Sequence, residues 1–130
     1  MRVNRRINFP YKTYRGFPCP IITIGLKGFD IDAYVDTGAF YSVFSSYEAD
    51  VIGIDYKRGQ RISVLVGDGN VIPVYLHHLS IALGPIKFNA VIGFSEKLGV
   101  GFNLLGRRSI FERFIVVFDD VKKQVTFIPR

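Results

Sequence analysis

The stretch Asp36-Thr37-Gly38-Ala39 combines a carboxylate with small residues that favour a turn. The apolar pair Tyr34-Val35 precedes it and Val43-Phe44 follows it, so the turn lies between two segments typical of core strands. A carboxylate held in such a turn can exchange a proton in a reaction, or it can cap a surface turn. The apolar flanks favour a chemical role over a surface turn.

Other chemistries have little support in the sequence. The single Cys19 excludes an internal disulfide, and the adjacent His77 and His78 would point to opposite faces of a strand. Residues 101–108 have the glycine spacing of a phosphate-binding loop, but the Lys-Ser/Thr pair that contacts phosphate and metal is missing. We therefore expect no metal and no cofactor.

Most of the chain has the pattern of short strands joined by tight turns. Four hairpins are predicted, and this number indicates a mostly antiparallel protein. Their strands are residues 21–26 with 29–35, 61–66 with 71–76, 79–83 with 86–92, and 114–118 with 124–128. Short helices are predicted after Ser45, where Ser45 and Glu48 fit a capping box, and over residues 107–113.

A weak internal repeat relates two of these hairpins. When residues 22–35 are aligned with residues 79–92, the apolar positions and the turn coincide, and Ala33 falls on Ala90. Any two hairpins resemble each other to some degree, but matching turns and faces together favour a duplication. After each hairpin and the loop behind it comes a short apolar segment, Ser42-Val43-Phe44 in the first copy and Asn103-Leu104-Leu105 in the second, so Asn103-Leu104-Leu105-Gly106-Arg107 stands where the repeat places a second such element.

These residues together resemble the retropepsin-like branch of the aspartic proteases, over roughly residues 20–118. The resemblance consists of Asp36-Thr37-Gly38-Ala39, Ser42-Val43-Phe44 behind it, a flap hairpin, and Leu104-Leu105-Gly106 before a short helix. It implies an all-β fold with a single lobe, a flap and one or two short helices, active as a homodimer. One Asp-Thr-Gly and a chain half the length of a two-lobed enzyme agree with the dimeric form. The departures below suggest a cellular or prokaryotic member of the family.

The resemblance implies a role for each site residue. Two Asp36 carboxylates close together would share a proton, one acting as general base on water and the other as general acid. Thr37 would bond across the dimer axis, Gly38 would bring a backbone N–H to the carboxylate, and Ala39 would line the cleft. Ser42, Leu104, Leu105 and Gly106 would support the loop from behind. The flap tip would be Gly67, Asp68 and Gly69, assigned by its place between the two repeats.

The sequence also departs from the retroviral pattern. Phe40 and Tyr41 stand where retroviral enzymes usually carry acids, so Arg107 loses its usual partner. Asp68 is unusual at a flap tip and would shift the preference toward polar or basic substrate residues. Residues 93–102 are longer than their retroviral counterpart and would reshape the pocket wall. These changes leave the catalytic loop intact and alter the expected specificity.

Composition and charge bound the remaining possibilities. The chain has 130 residues, 48% of them hydrophobic and 22% charged, which is typical of a globular domain. The net charge of +6 comes largely from residues 1–16, which hold Arg2, Arg5, Arg6, Lys12 and Arg15 and no acid. We expect a basic N-terminal arm over residues 1–19 and a protease domain over residues 20–130. Without an apolar span or a signal sequence, we expect a cytoplasmic protein.

The sequence thus predicts a homodimeric aspartic endopeptidase that acts on a peptide or protein substrate. The alternative is a catalytically weak or inactive dimer of the same fold that binds peptides or a protein partner, because Phe40, Tyr41 and Asp68 depart from the family pattern. A third possibility is that the basic arm docks on nucleic acid. The rest of the chain carries no basic stripe, which argues against nucleic acid as a partner. No contact with a membrane is expected.

Overall fold

A computed structural model describes residues 5–130, most of which lie in β-strands. The strands are β1 (Ile7–Pro10), β2 (Lys12–Tyr14), β3 (Phe17–Cys19), β4 (Ile21–Leu26), β5 (Phe29–Val35), β6 (Ser42–Ser45), β7 (Gln60–Leu65), β8 (Val71–Leu83), β9 (Ile86–Ser95), β10 (Asn103–Leu105), β11 (Phe114–Asp119) and β12 (Gln124–Pro129). One α-helix, α1, spans Ser46–Ile52. Single helical turns lie at Tyr56–Arg58 and Arg107–Phe111.

The four predicted hairpins are all present. They pair β4 with β5, β7 with β8, β8 with β9, and β11 with β12. The second and third hairpins share the long strand β8, so they form one continuous antiparallel ribbon. Turn residues and alternating burial act locally, and for this reason the sequence predicted these pairings.

The two copies of the repeat are joined by exchange of their third strands. β10 pairs in parallel with β5, and β6 pairs in parallel with β9. β6 follows the first hairpin but pairs with the second copy, and β10 follows the second hairpin but pairs with the first copy. β6 and β10 pair with each other, and β4 pairs with β8 through Gly25 opposite Ala82. Six strands therefore form a closed circuit in the order β4, β5, β10, β6, β9 and β8. This exchange places the turn after β5 next to the end of β10.

The N-terminal residues contribute strands of their own. β1 pairs with β12 in a three-stranded sheet with β11, and Ile7 and Phe9 pack against the main core. β2 and β3 form a separate hairpin. Residues 7–19 of the predicted basic arm are thus folded, whereas Arg2 lies outside the described residues. The division of the chain at residue 20 stays a prediction.

Both short helices depart in detail from the sequence prediction. α1 begins after Ser45, whose Oγ accepts a hydrogen bond from the Tyr47 N–H at 3.2 Å. The capping box is incomplete, because the Ser45 N–H donates to Asn103 Oδ1 and not to Glu48. The predicted helix over residues 107–113 is only an irregular turn, since Arg108 has ψ 130° and Ser109 has φ 72°. Its backbone bends because its first N–H groups bind an adjacent loop, as described below.

The main core combines side chains of the strand circuit with side chains of β11 and β12. Its largest fully buried side chains include Phe44, Phe94, Phe114 and Phe127. A smaller cluster, formed by Val43, Ile72 and Val74, lies under the hairpin of β7 and β8. None of the helices within residues 5–130 is long and apolar enough to cross a membrane.

Candidate active site

Asp36 lies in the first turn after β5, beside the end of β10. Val35 stands opposite Leu105 in the parallel pair, and the Asp36 N–H donates to the Leu105 carbonyl at 3.0 Å. The Ala39 N–H then donates to the Asp36 carbonyl at 3.3 Å and closes the turn. We call residues 36–39 the Asp36 loop. The pairing of β5 with β10, two strands that are far apart in the sequence, therefore fixes the position of its carboxylate.

Gly38 is in direct contact with the Asp36 side chain. Its N–H donates to Asp36 Oδ1 at 2.8 Å. A Cβ on Gly38 would lie 3.2 Å from the same oxygen, a crowded distance. Glycine therefore allows the backbone to approach the carboxylate and orient it. Asp36 itself is half-buried, so one side of its carboxylate stays accessible.

The segment after β10 holds the Asp36 loop from behind. The Gly106 N–H donates to the buried Ser42 Oγ at 2.9 Å. The next two N–H groups, of Arg107 and Arg108, donate to the Ala39 and Phe40 carbonyls at 2.8 and 2.7 Å. A Cβ on Gly106 would lie 2.5 Å from the Tyr41 carbonyl oxygen. Only glycine therefore allows this approach without a shift of the backbone.

Leu104 and Leu105 have different positions, although the sequence predicted that both pack under the loop. Leu105 is fully buried in the core. Leu104 is half-buried and lines the cleft that contains Asp36. Successive side chains of a strand point to opposite faces, which explains the difference.

Asp36 opens into a cleft of about 900 Å³ between its own loop and the hairpin of β7 and β8. The cleft brings together six of the predicted site residues: Asp36, Gly38, Ala39, Gly67, Asp68 and Leu104. Ser42, Gly69, Leu105 and Gly106 do not line it. Thr37 is exposed and lines a separate depression of about 400 Å³ together with Arg107 and Phe40, and Phe40 also lines the cleft.

The predicted flap tip is a tight turn at the rim of the cleft. The Val66 N–H donates to the Asn70 carbonyl at 2.9 Å, and Gly69 has φ 86°. The Asp68 carboxylate accepts hydrogen bonds from the Asn70 backbone N–H at 2.9 Å and from the Asn70 side-chain amide at 3.0 Å. These two bonds, the backbone one foremost, hold the pKa of Asp68 below its ordinary value.

The cleft lining is mostly apolar, and its charged residues are acids. Among residues 5–130, Asp36 and Asp68 are the charged residues of this lining, which includes neither Lys nor Arg. Tyr34 also lines the cleft, and burial, followed by the neighbouring charges of Cys19 and Asp36, raises the pKa of its hydroxyl. The part of the lining that the described residues supply is therefore acidic, although the chain as a whole is basic.

The aromatic residues that follow the Asp36 loop form their own contacts. The Phe40 and Tyr41 rings pack edge to face, with centroids 4.8 Å apart. The Arg107 guanidinium carbon lies 5.9 Å from the Phe40 ring centroid. A cation–π contact thus stands where an acidic partner of Arg107 would be expected in a retroviral enzyme.

Sequence reasoning did not identify Tyr34 and Phe102 as cleft residues. The two rings stack at 4.8 Å with an interplanar angle of 24°, and both line the cleft. In the sequence, Tyr34 stands out only as an apolar flank of the Asp36 loop. Phe102 lies next to Gly101 in a glycine-containing loop, which was the only available signal.

The described residues offer no obvious metal site. Within residues 5–130, no group of three or more His, Cys, Asp or Glu side chains is arranged to hold a metal ion. His77 lies away from the cleft lining, and its Nε2 is 2.7 Å from the Tyr56 carbonyl oxygen.

Comparison with known proteins identifies relatives of this fold. The sequence model of a family described as aspartyl protease matches residues 22–106. No curated protein matches the chain. Among solved structures, the chain is similar to a retropepsin-like aspartic protease from Rickettsia conorii, with a TM-score of 0.69 and 19% sequence identity over 99% of this chain and 96% of that one. The architecture is therefore the retropepsin-like fold.

Proposed function

Because the chain belongs to the aspartyl protease family, we propose that it is an aspartic endopeptidase that hydrolyses peptide bonds as a homodimer. The observation that carries this proposal is the setting of Asp36. Its carboxylate accepts the Gly38 N–H at 2.8 Å and opens into an apolar cleft large enough for a peptide segment. The sequence prediction of a cytoplasmic protein remains part of this proposal.

The proposed reaction uses two Asp36 carboxylates, one from each chain. Two carboxylates at close range cannot both be ionised, so the pair shares one proton. The ionised carboxylate removes a proton from a water molecule, which attacks the carbonyl carbon of the scissile bond. The protonated carboxylate hydrogen-bonds to the carbonyl oxygen. The carboxyl that took the proton from water then gives it to the amide nitrogen, the C–N bond of the tetrahedral intermediate breaks and the amine leaves, while the pair again holds one proton.

The other residues of the Asp36 loop have supporting roles in this proposal. The Gly38 N–H holds one carboxylate oxygen, so the other oxygen is free for water or substrate. Thr37 lies exposed outside the cleft, in a position from which its hydroxyl could bond to the loop of a second chain. The flap tip, Gly67-Asp68-Gly69, covers the substrate and excludes water from the reaction.

Cleavage of an unfolded casein-like protein tests the proposal. We expect wild type to cleave within about pH 3–8, with a preference for the acidic side because the pair needs one neutral carboxyl. Asp36→Asn should lower kcat by about 10³-fold or more, since it removes the general base and acid. Pepstatin, an inhibitor of aspartic proteases, should block the wild type.

The control is Asp50→Asn, which removes an exposed carboxylate outside the cleft and should keep full activity. Equal cleavage by wild type and Asp36→Asn would overturn the assignment of Asp36. If neither cleaves while both bind peptides as folded dimers, the alternative function, peptide binding without efficient turnover, replaces the proposed one.

A further inference from the structure

Phe102 forms part of the substrate-facing wall of the cleft. It ends a loop, residues 96–102, that lies outside the strands and contains Gly99 and Gly101. The ring of Phe102 stacks on Tyr34, which stands two residues before Asp36 on the same chain segment. The position of this ring therefore affects the space beside the catalytic carboxylate.

A second aromatic ring contacts Phe102 from the N-terminal hairpin. The Tyr14 ring meets the Phe102 ring edge to face, with centroids 5.3 Å apart and an interplanar angle of 88°. Phe102 thus contacts Tyr34 through one ring pair and Tyr14 through another. Edge-to-face and stacked pairs of this kind are energetically favourable beyond their buried area. The three rings form a row from the hairpin to β5, the strand that ends directly before Asp36.

The hairpin that carries Tyr14 is held in place at its other end. β2 and β3 are joined by Arg15 and Gly16, which both have positive φ, 51° and 85°. The Lys12 ammonium donates to Asp32 Oδ1 at 2.8 Å and to Thr23 Oγ1 at 2.5 Å. Lys12 therefore anchors the hairpin to β4 and β5, and Tyr14 lies at a fixed distance from the cleft wall.

We propose that Tyr14 is a positioning residue of the substrate cleft, which holds Phe102 against Tyr34 and so shapes a pocket for a large apolar substrate side chain. The hairpin of β2 and β3 then belongs to the substrate site, although its residues lie far from Asp36 in the sequence. The claim about substrates rests on the proposed peptidase function. The claim about the position of Phe102 does not.

Steady-state kinetics test the claim about substrates. With a peptide that has Phe or Leu beside the scissile bond, Tyr14→Ala should lower kcat/KM by about 10-fold, mainly through a higher KM. Tyr14→Phe keeps the ring and should behave as wild type. The matched control is Phe17→Ala, which removes the 71% exposed ring directly opposite Tyr14 in the hairpin.

The kinetic outcomes separate positioning from general hairpin damage. A loss confined to Tyr14→Ala supports the proposal. An equal loss in Phe17→Ala, or wild-type kinetics in a folded Tyr14→Ala protein, overturns it. Thermal unfolding of each variant shows whether the protein compared is folded.

A fluorescence experiment tests the position of Phe102 without any catalysis. The chain contains no tryptophan, so Phe102→Trp introduces a single indole at the cleft wall. Adding Tyr14→Ala should increase acrylamide quenching of that indole by about twofold and shift its emission to the red, because the ring loses a neighbour. Adding Phe17→Ala should change neither. Unchanged quenching on Tyr14→Ala overturns the proposal.

The two readouts distinguish this inference from the proposed function. If no variant cleaves peptides but the indole responds to Tyr14→Ala, the positioning role stands and the peptidase function fails. If wild type cleaves but neither readout responds to Tyr14→Ala, the peptidase function stands and the positioning role fails.

Discussion

The two carboxylates of the cleft differ in their surroundings. Asp36 is half-buried at the end of a core strand, and the Gly38 N–H of its own loop orients it. Asp68 is exposed at the tip of a hairpin, where Asn70 donates two hydrogen bonds to it. The first setting suits a group that reacts, because its position is fixed. The second suits a group that recognises charge at the rim of the cleft.

We predict that Asp68 gives the enzyme a preference for basic substrate residues. A peptide with Lys near the scissile bond should be cleaved about three- to fivefold better than its Gln counterpart, the small gain expected for an exposed charge pair. Asp68→Asn should remove this preference and leave the Gln peptide unaffected. Asp50→Asn is the control, since Asp50 lies outside the cleft. A preference that survives Asp68→Asn would contradict the prediction.

This preference should also depend on pH. The hydrogen bonds from Asn70 lower the pKa of Asp68, so the carboxylate stays charged above that lowered value and becomes neutral as the pH falls through it. Asn70→Ala removes the side-chain bond and raises the pKa toward its ordinary value of 3.8. The Lys/Gln ratio should then be lost at a higher pH than in wild type. Titration of the catalytic pair changes the cleavage of both peptides by the same factor, so it does not affect the Lys/Gln ratio.

At the scale of elements, the exchanged strands β6 and β10 determine the site. A buried hydrogen bond links them: the N–H of Gly106, which directly follows β10, donates to the hydroxyl of Ser42, the first residue of β6. The irregular turn Arg107–Phe111 follows Gly106 directly, and two further bonds, from its first N–H groups to the Ala39 and Phe40 carbonyls, give it its shape. The rigidity of the loop therefore comes from elements distant in the sequence.

Gly106→Ala should destabilise the protein. Its Cβ would overlap the Tyr41 and Ala39 carbonyl oxygens, at 2.5 and 2.8 Å, and backbone atoms cannot move aside cheaply. We expect the free energy of unfolding to fall by about 3 kcal/mol, a typical cost of overpacking. Chemical denaturation measures it. Gly99→Ala is the matched control, since its Cβ would meet nothing within 4 Å. Equal stability of Gly106→Ala and wild type would contradict the observed packing.

At the scale of the whole molecule, a single chain supplies a single Asp-Thr-Gly sequence. The proposed chemistry needs two carboxylates, so the active species must contain two chains. Several apolar groups of the chain are exposed, among them Phe40 beside the Asp36 loop, at 49%, and Leu65 and Val71 below the flap tip, at 71% and 61%. Exposed apolar groups of this size favour association.

Mixing wild type with inactive chains tests whether both subunits contribute. With a threefold excess of Asp36→Asn, random exchange leaves about one quarter of wild-type chains in wild-type dimers, and activity should fall to about that fraction. When wild type is mixed with a threefold excess of Asp50→Asn instead, every dimer keeps both Asp36 residues, so the total activity should rise. Sedimentation should show dimers at tens of micromolar. Full activity in the mixture, or a stable active monomer, would contradict the two-chain mechanism.

The sequence alone predicted the elements whose signals are local. Turn residues and alternating apolar residues identified all four hairpins, and the family resemblance agreed with the matched family and the fold. The Asp36 loop was recognisable because its residues and flanks are contiguous. The repeat placed Ser42-Val43-Phe44 and Asn103-Leu104-Leu105 in corresponding positions after the two hairpins, although it did not show that they meet.

The parallel pairs of β5 with β10 and of β6 with β9 were decided only by the tertiary structure. So were the irregular turn at Arg107–Phe111 and the row of Tyr14, Phe102 and Tyr34. The physical reason is common to all of them. Their geometry depends on contacts between segments far apart in the chain, and local patterns of residue type carry no information about which distant surface a side chain will meet.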